Sequence, residues 1–213
     1  MCIDGAAGRI IVNPAPEDLA AEEVPAPAVI LPRRVPVYAN IGSLAEAERA
    51  LADGAEGVGL LRTEFLFQGR QTPPSEDEQA AEYADILRRL GGRPAVIRTL
   101  DIGADKPVPF LPQPAEPNPQ LGLRGVRLCL QHRPLFSTQL RALLRAAAAG
   151  PLQIMLPMVT TAAEVRATRR LLEDAAAALG MPVPPLGAMI EVPMAALDAA
   201  ALADTCDFFS LGT

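Results

Sequence analysis

From Val35 onward the chain alternates short apolar runs with longer segments in which apolar residues recur every three or four positions. A continuous apolar run is the mark of a strand buried on both faces, and the three-to-four spacing is that of a helix lying on a core. The alternation predicts βα units feeding a parallel sheet. Strands are expected at Val35–Ala39, Gly57–Leu61, Ala95–Thr99, Gln153–Pro157, Leu186–Glu191 and Phe208–Leu211, with helices between them at Leu44–Ala52, Glu76–Leu90, Leu135–Ala148, Ala162–Leu179 and Met194–Ala203. Ser75 followed three residues later by Glu78 predicts a capping box at one helix start. Within Glu164–Leu179, Val165, Leu171, Leu172 and Leu179 lie near one stripe, leaving Arg166, Arg169 and Arg170 to water.

Six strands with five crossovers fall short of the eight that close a (β/α)8 barrel, and no glycine-rich dinucleotide fingerprint follows any strand, which disfavours a doubly wound sheet. The expected fold is α/β, an incomplete (β/α)8 TIM-type barrel over residues 35–213 that ends at its sixth strand. Ahead of it, Ile3–Pro14 reads as a short strand pair turning through Asp4–Gly8. Ala15–Arg34, acidic, alanine-rich and punctuated by prolines, reads as a linker. An incomplete barrel has two open strand edges, here Val35–Ala39 and Phe208–Leu211, so self-association is expected.

Composition narrows the function. Half of the 213 residues are hydrophobic, yet no uncharged apolar run approaches the roughly 18 residues of a membrane span. The N-terminus lacks a basic start followed by an apolar stretch, so no secretory signal is expected and the cytoplasm is the expected compartment. Cys2, Cys129 and Cys206 are odd in number and without C-x-x-C spacing, which argues against a disulfide framework or a zinc site. A net charge of −6 and 4% aromatic residues leave neither the basic stripe nor the stacking platform of a nucleic-acid binder.

Charged residues gather where the strands end, the face on which barrel active sites are built. Arg62 closes the second barrel strand and Arg98 the third, each followed by threonine. A guanidinium fork binds phosphate or carboxylate through parallel hydrogen bonds of about 1.5–3 kcal/mol each, and two forks suit a small di- or trianion. Buried cations must be satisfied, either by such a ligand or internally by Glu64 or Asp101. Glu191 ends the fifth strand, placed either to hold Mg²⁺, which takes one or two carboxylates plus substrate oxygens, or to pair with an arginine. Arg124, between glycines 122 and 125, is either a third anion contact or a structural residue. The single histidine, His132, stands at a helix entrance and reads as structural.

The segments Gly54–Phe67, Ile97–Pro109, Asn118–Arg127, Ile154–Val159, Gly187–Ala196 and Asp207–Thr213 resemble the phosphoenolpyruvate-binding barrel of Enzyme I of the bacterial sugar phosphotransferase system, a phosphoenolpyruvate–protein phosphotransferase. The resemblance runs over about residues 35–213, and Asp4–Pro14 is similar to the last strands of that family's phosphohistidine domain, so residues 1–14 would be its remnant. Pyruvate phosphate dikinase and phosphoenolpyruvate synthase share the Arg-Thr-Glu and Ile-Glu-x-Pro elements. The runs Asp101-Ile102-Gly103 and Asp105-Lys106-Pro107 favour Enzyme I. The resemblance implies a transferase that passes phosphoryl from phosphoenolpyruvate to a protein histidine in sugar uptake, with Mg²⁺ as cofactor, a histidine phosphocarrier protein as partner, and a homodimer as the full-length assembly. It also implies that Arg62 and Arg98 grip the phosphate, that Arg124 and Lys106 line the site, and that Glu191 ligates Mg²⁺.

Other family elements have no counterpart in these residues. The Asn-Asp that follows Gly-Thr, a further arginine, the Cys-Gly-Glu strand with its acid and the Gly-Gly-x-x-Ser-His setting of the phosphorylated histidine do not occur. No catalytic acid is assigned, since neither Cys129 nor Cys206 has that context. A fragment without turnover of its own is therefore expected. Ala104 stands where the family has a second glycine; if that position needs positive φ, alanine strains the turn by roughly 1 kcal/mol or more. Alternatives are a dikinase- or synthase-type barrel, a non-catalytic phosphoenolpyruvate-binding module, and a pyruvate aldolase or lyase with similar Glu-x-Pro strand ends.

Overall fold

Six of the expected apolar runs pair side by side in strict chain order. In the computed structural model, which describes residues 2–4, 8–15, 35–103, 106–113 and 115–212, the chain divides into two units, 1–34 and 35–213. In the first, the expected strand pair forms: β1 (Cys2–Asp4) and β2 (Arg9–Ile11) run antiparallel, with Cys2 opposite Ile11 and Asp4 opposite Arg9. The rest of the expected turn at 5–7, nearly all of the linker expected at 15–34, and Ala104 with its anticipated strain lie outside the described residues.

The second unit runs β3 (Tyr38–Ile41), α1 (Leu44–Ala52), β4 (Gly57–Arg62), α2 (Glu64–Phe67), α3 (Glu76–Leu90), β5 (Ala95–Arg98), α4 (Val126–Gln131), α5 (Arg133–Ala146), β6 (Leu152–Leu156), α6 (Ala162–Leu179), β7 (Leu186–Ile190), α7 (Pro193–Leu197), α8 (Ala199–Ala203) and β8 (Phe209–Leu211). Every strand is parallel to its neighbour in the order β3-β4-β5-β6-β7-β8. The result is an open, curled parallel sheet flanked by helices, the arrangement of an incomplete barrel, with β3 and β8 at its edges.

The pleat explains which side is buried. Ala95 and Ile97, Ile154 and Leu156, and Leu186 and Ala188 lie two apart in their strands and are fully buried. They share one core with Tyr83, Ile86 and Leu87 of α3, Leu140 and Leu143 of α5, and Val165 and Leu172 of α6. The expected capping box at α3 is present: the Glu78 N–H donates to Ser75 Oγ at 3.2 Å and the Ser75 N–H to Glu78 Oε2 at 2.8 Å. Glu164 likewise accepts from the N–H groups of Thr160 and Thr161 at 2.7 and 2.9 Å, fixing the start of α6. Among the described residues no helix is long and apolar enough to cross a membrane.

Local chemistry moves several boundaries. The first sheet strand starts at Tyr38 instead of Val35, because Pro36 has no N–H for a ladder and Val35 and Val37 are exposed. The helix expected at Met194–Ala203 begins at Pro193 and breaks at Asp198, whose φ of −109° and ψ of 32° separate α7 from α8. The helix expected from Leu135 begins at Arg133, with Pro134 in the first turn where its missing N–H costs nothing. Helices α2 and α4 were not expected; at 4 and 6 residues they are too short to show a helical period.

Candidate functional site

Arg62 and Arg98 are register partners at the ends of β4 and β5, so their backbones stand side by side at the C-terminal edge of the sheet. Their side chains part. Arg98 is buried; its Nη2 hydrogen-bonds to Glu64 Oε1 and lies 3.6 Å from Asp101 Oδ2. Arg62 is one-third exposed: its Nη2 is 3.4 Å from Glu46 Oε2 of α1, and its guanidinium carbon lies 4.7 Å from the centre of the Phe65 ring. Glu46 is held in turn by the Gly42 N–H at 2.8 Å.

Lys106 and Arg124 join Arg98 around the same two carboxylates. Lys106 Nζ is 3.3 Å from Glu64 Oε1 and 3.2 Å from Asp101 Oδ2. Arg124 donates through Nε to Asp101 Oδ1 at 3.0 Å and through Nη2 to Asp101 Oδ2 at 3.2 Å, a two-pronged grip of planar fork on planar carboxylate. Three cations, one ending β5 and two from the loop between β5 and α4, therefore converge on Glu64 and Asp101, both almost fully buried. Burial opposes ionisation of Asp101. The Arg124 hydrogen bonds and the charges of Arg98, Lys106 and Arg124 outweigh it and hold the pKa below 3.8.

The cluster is incompletely satisfied. Among the described residues, Arg62 Nε, Arg98 Nε, Glu64 Oε2 and Thr99 Oγ1 are buried without a hydrogen-bond partner. Such atoms are rare in folded proteins, and each costs about 1–3 kcal/mol or more when left dry. Three of the four belong to the charged residues at the ends of β4 and β5.

Glu191 follows β7 and opens to solvent, with Oε1 accepting the Met158 N–H at 2.7 Å. Desolvation on its inner side raises its pKa above 4.5, helped by the Asp101 charge and opposed by the Met158 N–H and by Arg98 and Arg124. Glu191 can supply a hard oxygen to a cation. Among the described residues no three His, Cys, Asp or Glu side chains stand together as a metal cage, so other oxygens would have to complete the shell.

The remaining titratable candidates, Cys129 and His132, form no ion pair with the cluster among the described residues. Cys129 is buried, its Sγ–H facing the Leu100 carbonyl at 3.4 Å, and burial pushes its thiol pKa upward. His132 joins α4 to α5, its N–H donating to the Leu128 carbonyl.

Several supporting residues gave little sequence signal. Met158 adopts a φ of +56°, unusual for a non-glycine residue. Its N–H is held by Glu191 and its carbonyl by Arg127 Nη1 at 2.6 Å, and it packs where Gly125 leaves room, since a Cβ on Gly125 would fall 2.9 Å from Met158 Cβ. Gln139 is a polar residue on the buried stripe of α5 beside Phe136, Leu140 and Leu143. That break in an apolar stripe is the signal by which it could have been found.

Residues 18–213 match the model of the family described as PEP-utilising enzyme, PEP-binding domain. The chain belongs to that family. It is 46% identical to the multiphosphoryl transfer protein of Rhodobacter capsulatus over 228 residues, covering 99% of this chain and 28% of that protein. It is 43% identical to the phosphoenolpyruvate-protein phosphotransferase of Geobacillus stearothermophilus and 46% identical to that of Haloferax volcanii, in each case covering 99% of this chain and 40% of the relative. The sequence resemblance to phosphoenolpyruvate–protein phosphotransferases is thus borne out, and the chain spans well under half the length of these PEP-utilising relatives.

Proposed function

We propose that this chain is the phosphoenolpyruvate-binding part of a phosphoenolpyruvate–protein phosphotransferase, the whole protein passing phosphoryl to a histidine on a phosphocarrier protein. The observation that carries this reading is the cluster of Arg98, Lys106 and Arg124 around buried Glu64 and Asp101, with Arg98 Nε and Glu64 Oε2 unsatisfied at the strand ends. Phosphoryl transfer is largely positioning and charge neutralisation, and preformed cations held in place by carboxylates supply both. In this reading Arg98 and Arg62 take the phosphate while Arg124 and Lys106 line the site. Glu191 would hold Mg²⁺, its one carboxylate and exposed position suiting an ion that draws its other ligands from substrate and water. When bound, Mg²⁺ neutralises charge on the donor phosphate and carboxylate. The protein's own residues fix the anion and orient it. Homodimerisation of the full-length protein and a role in sugar uptake belong to the same proposal.

The chain alone is proposed to bind without turnover, because His132 joins α4 to α5 and the Cys129 thiol is buried against the Leu100 carbonyl, leaving neither as phosphoryl acceptor or acid. Titration calorimetry with phosphoenolpyruvate tests this. Binding is expected to strengthen with Mg²⁺ and to weaken at least tenfold in Arg98→Ala. Glu191→Gln should lose the Mg²⁺ increment while keeping the metal-free affinity. Absence of binding with Mg²⁺ present, an Arg98→Ala variant that binds like the wild type, or sustained pyruvate release with a phosphocarrier would each refute the reading.

A further inference from the structure

A buried chain of polar groups runs beneath the strand ends that carry the basic cluster, and one residue sits at its branch point. Gln139 of α5 is 1% exposed. Its Oε1 accepts the Leu100 N–H at 2.9 Å, and its Nε2 donates to Thr63 Oγ1 at 3.2 Å and to the Tyr83 hydroxyl at 3.3 Å. Thr63 Oγ1 donates onward to the Arg98 carbonyl at 2.9 Å. On the other branch Tyr83 donates to Gln79 Oε1 at 3.3 Å, and Gln79 Nε2 donates to the Pro74 carbonyl at 3.0 Å.

The proton count admits one arrangement. An amide side chain offers two N–H groups and one carbonyl oxygen, and Gln139 uses all three. Turning its amide over would set the NH₂ group against the Leu100 N–H, donor facing donor. Thr63 and Tyr83 each accept from Gln139, so each hydroxyl is left to donate in the direction seen. A fully satisfied buried network of this kind fixes the groups it joins.

The joined groups flank the site. Thr63 immediately precedes Glu64, and Leu100 immediately precedes Asp101. These are the two carboxylates that hold Arg98, Lys106 and Arg124. We infer that Gln139 is a positioning residue for anion binding: without touching the ligand, it ties the end of β4 to the end of β5 and so sets the spacing of Glu64 and Asp101. Its effect on ligand affinity rests on the function proposed above, whereas its effect on backbone order does not.

The test compares the wild-type chain with Gln139→Met, Gln139→Glu and a remote control, Leu172→Ala, which opens a cavity under fully buried Leu172 of α6. Amide hydrogen exchange reads the backbone, and calorimetry with phosphoenolpyruvate and Mg²⁺ reads affinity. Gln139→Met keeps the side-chain length but removes every hydrogen bond. It is expected to speed exchange at Leu100 at least tenfold beyond any change in global stability, and to raise the dissociation constant at least fivefold. Leu172→Ala should lower overall stability and move neither quantity selectively. Gln139→Glu keeps the acceptor for the Leu100 N–H, offers no donor while ionised and regains one O–H donor when protonated. Its affinity relative to wild type should recover in part as pH falls through the pKa of the new acid, which burial places above the ordinary glutamate value of about 4.3. Equal exchange changes in Gln139→Met and Leu172→Ala, or an unchanged dissociation constant in Gln139→Met, would overturn the inference. If the wild type itself binds no phosphoenolpyruvate, the proposed function fails and the exchange comparison alone decides the role of Gln139.

Discussion

Removing Arg98 separates what the basic cluster does for the fold from what it does for a ligand. In Arg98→Met, Glu64 keeps Lys106 at 3.3 Å, and Asp101 keeps Lys106 and the Arg124 fork. Breaking a buried pair typically costs about 3–5 kcal/mol, because one charge is left without compensation. The surviving Lys106 contact, on a side chain 29% exposed, places this loss at the lower end, about 3 kcal/mol. For a chain of 213 residues each kcal/mol shifts the melting temperature by about 2–4 °C, so a fall of about 6–12 °C is expected by circular dichroism. The double variant Arg98→Met, Glu64→Leu removes both ends of the pair and fills the space with apolar atoms, an exchange that is often neutral or stabilising. It should recover most of the lost stability while phosphoenolpyruvate affinity stays lost. A single variant within about 0.5 kcal/mol of wild type, or a double variant less stable than the single, would refute the assignment of Arg98 and Glu64 as a buried, energetically coupled pair.

Acid unfolding should carry the signature of Asp101. Its folded pKa lies below the ordinary 3.8, so its stabilisation is fully present above the unfolded value of about 3.9 and lost as pH falls through the folded one. Exposed Glu78, held at about 2 by Arg70 and by the Ser75 N–H, titrates over the same range. Urea titrations of wild type and Asp101→Asn between pH 5 and 2 therefore isolate Asp101: the variant is expected to be less stable at pH 5 and the gap to narrow on acidification, and a constant gap would count against the assignment. The sheet edges give another outcome. β3 and β8 present exposed Tyr38, Phe209 and Leu211 beside unpaired strand edges. Sedimentation velocity is expected to show concentration-dependent association that Leu211→Lys reduces, and a monomer at all concentrations would contradict it.

The sheet order was legible because the inner strands β4 to β7 are largely buried and the long helices each show one face to the core, so the period of the apolar pattern changes from strand to helix. What escaped was local. Proline at 36 shortens a strand whose flanking valines have the pattern of a longer one, Asp198 interrupts an alanine-rich helix, and α2 and α4 are too brief to be periodic. At the site, the positions of Arg62, Arg98 and Glu191 followed from counting strand ends, and the possibility that Glu64 or Asp101 neutralised an arginine was already visible in the sequence. Partner choice was not. Arg62 turns to Glu46 because α1 delivers that carboxylate and Phe65 offers its ring, an approach set by packing alone. The backbone of Met158 and the branch at Gln139 were equally hidden, since both depend on groups more than thirty residues away.

The two buried carboxylates have opposite effects on an incoming anion. Glu64 and Asp101 hold Arg98, Lys106 and Arg124 in one arrangement, so the side-chain entropy of ordering those long cations is lost on folding and not again on binding. They also compete for the same donors, which lowers the attraction left for a phosphate. Geometry shows how both can hold at once. Arg98 gives Nη2 to Glu64 and, among the described residues, keeps Nε without a partner, as Arg62 does its own Nε at the neighbouring strand end. Because both nitrogens are buried, an anion would have to displace neighbouring atoms to reach them, but it would not have to break the pairs that position the two guanidinium groups. On the proposed function, selectivity favours a small, multiply charged anion over a single carboxylate.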